Sequence, residues 1–294
     1  MILSSKKEID LWLNILREHI NIAAPELISI FEVYAAEAKF GRAFIEDDLK
    51  ELSAGASILE VGAGAMILSC QLVFEGFRVV ALEPTGEGFS HFNQLREIVL
   101  EQANRFGQTP EILSIYAENL NLHDHFQFAF SINVMEHVSD VESVIRNVYN
   151  SLHKGATYHF TCPNYLFPYE PHFNIPTLFN KKLTEIIFSK IIKQHNDLLD
   201  PLGTWHSLNW ISVTQLLKMA KKNKNISLIL NKRILSETLL RVTTDNQFAK
   251  RRSYWMRVLI RCIVTSRLQL FLAHMPPHLQ PIIDCKIKII NKIG

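Results

Sequence analysis

The chain has 294 residues, of which 48% are hydrophobic and 20% charged, with 11 Gly and 11 Pro. That much apolar side chain collapses into a core, which excludes a mainly disordered chain, and the Gly and Pro content excludes a collagenous or Pro-rich fibre. The net charge of +2 hides a split: residues 1–220 carry 16 Lys and Arg against 26 Asp and Glu, whereas residues 221–294 carry 15 against 3. Either an anionic partner faces the basic part, or the basic part docks on the acidic body. Cys70, Cys162, Cys262 and Cys285 stand far apart with no C-x-x-C. A disulfide scaffold and a cysteine-based zinc site are therefore not expected, and a reducing cytoplasm is the expected location. The start, MILSSKKEID, has charges where a secretory signal needs an apolar run. No stretch reaches the ~18 apolar residues of a spanning helix. The nearest approach, Trp255 to Met275, is interrupted by Arg257, Arg261 and Arg267.

In chain order, two helices come first, over 8–20 and 25–50. In the second, Leu27, Ile30, Phe31 and Tyr34 recur at helical spacing, and Pro25 suits a first helical turn. SILEVGAG (57–64) reads as a buried strand entering a turn, followed by a helix over 65–75 that Gly76 stops. RVVALEP (78–84) is a second buried strand, 86–106 a helix, EILSIYAEN (111–119) a third strand and FQFAFSINV (126–134) a fourth. A helix over 140–152 is ended by Gly155, and ATYHFTCPN (156–164) is a fifth strand. An ordered loop rich in Pro and aromatics covers 164–176. Helices over about 180–195 and 212–222 follow, then a strand over 226–234, mostly helical material over 236–280, and a last strand over 285–291. Strands alternating with helices predict an α/β fold with a doubly wound, mostly parallel sheet, here of seven strands. The expected organisation is an N-terminal helical cap (1–50), a Rossmann-like core (51–164), a loop with substrate-side helices (165–225), and the last strands (226–294). That last part carries a basic helical insertion at about 236–280.

The turn Glu60-Val61-Gly62-Ala63-Gly64 joins a strand to a helix. Glycines there let a ligand approach the backbone, and the helix N-terminus adds partial positive charge. Glu83 ends the second strand, where an acid can accept hydrogen bonds from both hydroxyls of a ribose. The combination is a nucleoside-binding signal. NAD is disfavoured, because its fingerprint needs a third glycine where this chain has Ile67.

With these residues in place, the sequence resembles the class I S-adenosylmethionine-dependent methyltransferases. ILEVGAG looks like their first motif, ALEP their second, YAENL (116–120) their third and FAFSINVMEHVSD (128–140) their fourth. The phrase MEHV is similar to the O-methyltransferases that act on ubiquinone precursors. The likeness covers roughly residues 40–165, with a looser match at 205–220. It implies S-adenosyl-L-methionine as cofactor, S-adenosyl-L-homocysteine as product, and helical cap insertions on the Rossmann-like core. It also implies that Gly62, Ala63 and Gly64 line the methionine part and that Glu60 orients its amino group. Glu83 would bind the ribose, Glu118 and Asn119 would face the adenine, and Ile132 would offer its carbonyl to the amino group. Arg42 stands where the ubiquinone-precursor group has an Arg for the cofactor carboxylate; it can equally be a solvated helix residue. Many members carry a third glycine where this chain has Met66, whose larger side chain is expected to narrow the loop. Some of that group hold a divalent metal through Glu-x-x-Glu-His. Here the segment reads Asn133-Val134-Met135-Glu136-His137, and with one carboxylate replaced by an amide we expect no metal.

An oxygen acceptor needs a base of near-neutral pKa, and His is the natural candidate. His137 follows the fourth strand at the sheet edge where ligands bind; the alternative is a helix-start histidine held by a backbone partner. Glu170 and His172, in Tyr169-Glu170-Pro171-His172, can form a base with its orienting carboxylate, or merely cap a rigid loop. Tyr169, Trp205 and His206 are candidate substrate contacts; Trp205-His206 and Asn209-Trp210 can form an opposite wall of the site, with core packing the expected role of at least one tryptophan. His159 and Cys162 read as core. Residues 250–268 form an imperfect amphipathic helix edged by Arg, which either lies on an anionic membrane or closes as a lid. Nucleic acid is disfavoured, since no reading motif accompanies the charge. The reading is a cytoplasmic methyltransferase, in peripheral membrane contact if the basic helix docks there, acting on a small hydrophobic or amphipathic acceptor, with O-methylation favoured. The alternative is a methyltransferase-like binding module without catalysis. The sequence leaves the oligomeric state open.

Overall fold

A computed structural model of the chain describes residues 5–84, 90–195, 200–223, 225–250 and 252–290. The start of the helix expected over 86–106, Arg251, and Asn291 at the end of the last expected strand lie outside the described residues.

The strands are β1 (Ser57–Val61), β2 (Arg78–Leu82), β3 (Glu111–Leu113), β4 (Phe126–Ile132), β5 (Leu152–Pro163), β6 (Ile226–Leu230) and β7 (Ile282–Ile289). They form one sheet in the order β3-β2-β1-β4-β5-β7-β6. β1 pairs in parallel with β2 and β4, β2 in parallel with β3, and β7 runs antiparallel to β6. β1 is buried at every position, as a central parallel strand covered on both faces must be. From β1 the strand order runs one way through β2 and β3 and the other way through β4. This reversal places a crevice at the C-terminal ends of β1 and β4, where open α/β sheets bind ligands.

The chain divides into two compact units. The first holds Met1–Ile132 and Ile145–Tyr158, the second Asn133–Val144 and His159–Gly294. In the first, Trp12, Leu16, Ile20, Phe31 and Ala38 from the N-terminal helices share one buried cluster with Ile58, Ala81, Phe128 and Phe130 of the sheet. Trp12 Nε1 donates to the Ile67 carbonyl at 3.1 Å. The helices from Ser5 to Lys50 thus bury their apolar stripes in the sheet's own core. The helix expected over 25–50 is a 3₁₀ turn (Pro25–Leu27) and helices Ile28–Phe44 and Glu46–Lys50, interrupted where Ile45 turns inward with no exposure.

Gly76 stops the helix Ile67–Phe74 as expected. At φ +91° it donates to the Val73 carbonyl, and Phe77 donates to Leu72, which satisfies two orphan carbonyls. Gly155 does not cap its helix. That helix ends at Ser151, where the carbonyls of Asn150 and Ser151 accept from Asp124 and His125; no glycine cap is needed, and Gly155 lies inside β5. The third strand is shorter than expected. β3 is an edge strand with little burial, and the chain leaves it for a 3₁₀ turn at Ala117–Asn119.

In the second unit, helices Lys181–Lys193, Pro201–Ser207 and Val213–Lys222 are each N-capped by a side chain, from Asn180, Asp200 and Ser212. The middle one was not among the expected elements. Helices Ile234–Thr244, Asn246–Lys250, Tyr254–Thr265 and Gln269–Leu272 fill the stretch that separates β6 from β7 in sequence.

Met66 is left-handed (φ 63°, ψ 9°) at the N-cap of Ile67–Phe74, and its side chain is 0% exposed in the first unit's core. Its bulk therefore goes into the core and does not narrow the loop, while its backbone conformation costs an L-residue about 1–2 kcal/mol. Met66→Gly and Met66→Ala both lose the buried side chain. We expect the Gly variant to be the more stable of the two by about 1 kcal/mol in urea unfolding, reversing the usual helix preference for Ala. A more stable Ala variant would remove the case for backbone strain here.

Candidate active site

β1 leaves the sheet into a loop held by the end of β2. Gly62 and Ala63 both donate to the Leu82 carbonyl, at 2.8 and 3.2 Å. Gly62 (φ +75°) and Gly64 (φ +51°) are left-handed, which glycine adopts at no steric cost. The Gly64 N–H donates to Glu83 Oε2 at 2.8 Å, which brings Glu83 to the loop. Burial raises the Glu83 pKa, opposed by the Gly64 N–H and the charge of Arg96. Glu60 is 6% exposed and accepts from the Ser69 hydroxyl. Burial pushes its carboxyl up to about 8, against the Ser69 hydrogen bond and with the help of the Glu83 charge. Two acids thus flank the loop, one titrating near neutrality. Such a site suits a ligand that brings hydroxyl donors and a cationic group.

Glu118 and Asn119 lie on the 3₁₀ turn after β3, and Asn147 Nδ2 fixes that turn by donating to the Glu118 carbonyl at 2.6 Å. Ile132 is the last residue of β4. Arg42 is a correction. It is neither solvated nor at the glycine loop. Its Nη2 and Nε donate to the nearly enclosed Glu75 carboxylate at 2.7–3.0 Å and its Nη1 to the half-buried Glu46 at 2.5 Å. Glu75 caps the far end of the helix whose start follows the glycine loop, so charge pairing draws Arg42 one helix length away from it.

The second unit gathers another group. Asn133 is left-handed (φ 54°) and donates to the Thr161 carbonyl at 2.8 Å. That conformation favours Asn over Glu at this position. Asn209, from the segment after Pro201–Ser207, clamps the turn that follows. Its Nδ2 donates to the carbonyls of Met135 and Val138 at 2.7 and 2.8 Å, and its N–H to Glu136 at 2.8 Å. His137 Nδ1 meets Ser207 Oγ at 2.8 Å, and Ser207 donates its own proton to the Thr204 carbonyl. Ser207 therefore accepts from His137, which holds the imidazole as the Nδ1–H tautomer. Burial and the neighbouring His172 push the His137 pKa down to about 3, so it is neutral at physiological pH.

His172 Nδ1 lies 2.6 Å from Oε1 of Glu170. Glu170 has no exposure and also accepts from the Phe173 N–H at 2.7 Å and the Tyr165 hydroxyl at 3.3 Å. The His137 and His172 rings stand edge to face with centroids 5.4 Å apart. Glu136, His137 and His172 each offer a ligand-type atom within 4.8 Å of the others. This is a set of donor types able to hold a metal ion, and the 133–137 segment alone could not reveal it, because His172 comes from a distant loop.

Of the expected substrate contacts, Tyr169 is half-buried, with its hydroxyl donating to Asn174 at 2.6 Å. Trp205 is a correction. It is fully buried, edge-on to Phe173 and Trp210, and serves the core. His206 is exposed; the next residue, Ser207, is the one that meets His137. Sequence reasoning missed Ser207 and read Asn209 as part of a wall of the site, not as the clamp on the 135–138 turn. His159 is core as expected, bonded to Asp284 at 2.8 Å.

The family model described as "Methyltransferase domain" matches residues 35–223. The chain belongs to this family. It is a methyltransferase by family. It is 45% identical over 272 residues to "Uncharacterized protein Rv1509" of Mycobacterium tuberculosis, covering 92% of each chain. Among solved structures it is similar to phosphoethanolamine N-methyltransferase 2 of Haemonchus contortus in complex with S-adenosyl-L-methionine. That likeness has TM-score 0.52 and 14% identity over 94% of this chain and 60% of that one. The same enzyme with phosphomonomethylethanolamine and S-adenosylhomocysteine matches at TM-score 0.52 and 13% identity, with the same coverage. This chain spans 60% of that enzyme's length, and the likeness is one of fold. The residues of its glycine loop fit the S-adenosylmethionine that the sequence resemblance implies: two left-handed glycines, an acid on the loop backbone, and a second buried acid with no fixed cation beside it among the described residues.

Glu60 makes stability fall with pH. Its folded pKa of about 8 lies above the ordinary carboxylate value of 4.5, so the folded state binds more protons through that window and loses stability as pH rises through it. We expect thermal unfolding to show Glu60→Gln gaining on the parent from pH 5 to pH 8. A constant difference across that range would mean that Glu60 titrates normally.

Proposed function

We propose that the chain transfers a methyl group to a hydroxyl oxygen of a small hydrophobic or amphipathic acceptor, with His172 as general base and Glu170 as its orienting carboxylate. The observation that carries this reading is the contact between His172 Nδ1 and the wholly buried Glu170. A carboxylate so held takes the Nδ1–H and leaves Nε2 with its lone pair, the form in which an imidazole accepts a proton from a hydroxyl. A neutral amine already carries a lone pair for attack, whereas a hydroxyl gains most from a base. With its pKa near 3, His137 is too weak a base for this step. It stays neutral, so no second cation opposes the charge formed on His172.

When bound, S-adenosylmethionine supplies a methyl group made electrophilic by its sulfonium. In this reading Gly62, Ala63 and Gly64 hold the methionine part, Glu83 accepts the ribose hydroxyls, and Glu60 takes the amino group. Glu118 and Asn119 face the adenine, and the Ile132 carbonyl meets the amino group. Tyr169 contacts the acceptor. The MEHV phrase supports an acceptor of the kind the ubiquinone-precursor enzymes take. Four cysteines that form no disulfide support a reducing, cytoplasmic location.

Two measurements test this. In a labelled-methyl assay with pooled phenols and hydroxylated amphiphiles, His172→Asn and Glu170→Gln are each expected to lower kcat by ~10²–10⁴-fold with S-adenosylhomocysteine affinity unchanged. Full activity in both, or turnover of amines alone, overturns the reading. Calorimetry on Glu83→Ala is expected to show binding weaker by ~1.5–3 kcal/mol; parent-like affinity would move the cofactor site elsewhere.

A further inference from the structure

The helix Tyr254–Thr265 carries two apolar stripes. Ile260, with Ile263 and Val264, packs on Leu239 and Val242 of Ile234–Thr244. The other stripe, Trp255, Val258, Leu259 and Cys262, follows the i, i+3, i+4, i+7 spacing of a single helix face, and all four side chains are exposed. Trp255 is 77% exposed, and just beyond the helix Phe271 is 76% exposed, with Leu268 and Leu270 also in solvent. A lid would have covered this face, so within its unit the helix is packed on one side only.

The charge around the stripe is of one sign. From residue 246 to 283 the chain carries Lys250, Arg251, Arg252, Arg257, Arg261 and Arg267 and no Asp or Glu. The nearest acid before it, Asp245, is paired with Arg241 at 3.0 Å. Lys250, Arg261 and Arg267 are exposed. No helix among the described residues is long and apolar enough to cross a membrane.

We propose that this face docks on the surface of an anionic lipid bilayer, lying in the interface with Trp255, Leu259 and Phe271 inserted and the Lys and Arg side chains on lipid headgroups. An aromatic and aliphatic stripe edged by cations is the chemistry that such an interface accepts on both counts. A two-fold contact with a second copy would set arginines against arginines. A nucleic acid would meet the charges but leave Val258 and Leu259 in water. The docking stands apart from the acceptor and the base; it also holds if the acceptor is water-soluble.

The test is co-sedimentation of the full chain with phosphatidylglycerol and with phosphatidylcholine vesicles, alongside fluorescence quenching by brominated acyl chains. Trp12 and Trp205 are buried and Trp210 is half-buried, so quenching reports chiefly on Trp255. We expect binding to the anionic vesicles alone, weakened by salt because exposed charges are screened. Quenching should disappear in Trp255→Ser. Lys250→Glu with Arg261→Glu should bind at least ~10-fold more weakly at an unchanged unfolding temperature. If the charge variant unfolds early, salt dependence and quenching in the parent decide the matter. Equal recovery in the supernatant with both vesicle types at low salt overturns the proposal, as does binding without quenching. So does a concentration-dependent dimer that Trp255→Ser abolishes, which would assign the face to a second copy.

Discussion

The carbonyl of Leu82 and the carboxylate of Glu83 together accept the N–H groups of Gly62, Ala63 and Gly64. The end of β2 thereby dictates the path of the chain as it leaves β1. Everything the first unit can do with a ligand depends on this. The loop must be left-handed at two positions to present its N–H groups to β2, which is why glycine stands there. The next left-handed residue, Met66, bears a side chain, and that side chain is sunk in the core. Strain at a functional loop is thus offset by burial next to it. The same enclosure desolvates Glu60 and raises its pKa to about 8.

The second unit solves a different problem, holding polar groups in an apolar surround. Glu170 is buried, and a buried carboxylate is tolerable only with several donors. It finds three, in the Phe173 N–H, the Tyr165 hydroxyl and His172. That satisfaction makes the His172 orientation rigid, because moving the ring would strip a donor from an enclosed charge. Asn209 does similar work for the turn at 135–138 by occupying three carbonyls. His137 and His172 are thereby fixed in tautomer and position by groups that themselves have no freedom.

Burial and exposure also divide the two faces of Tyr254–Thr265. One stripe has neighbours and the other has water, and the charges beside it share one sign. Solvent-exposed Trp and Phe are costly unless something covers them part of the time. The aromatic-rich loop with Glu170 and His172 belongs to the same unit, and the Arg252 charge is felt at Tyr169, so the basic segment and that loop are neighbours.

By itself the sequence determined what is local or periodic. Buried strands alternating with helices, the glycine turn with an acid at the end of β2, the Gly76 stop and the Glu170–His172 pair all lie within a few residues or one strand–helix repeat. Backbone geometry converts such spacings directly into position. The tertiary structure alone decided the rest. Arg42 sits within reach of Glu75 rather than of the loop, Trp205 is in a core, and Ser207 rather than His206 meets His137. Gly155 lost its capping role because Asp124 and His125 reached the helix carbonyls first. Met66 goes inward, and one stripe of Tyr254–Thr265 is left bare. Each of these outcomes is a competition for partners in space among residues far apart in the chain. Residue type and spacing say which groups want partners, but only the packed fold says which partner is near enough to win.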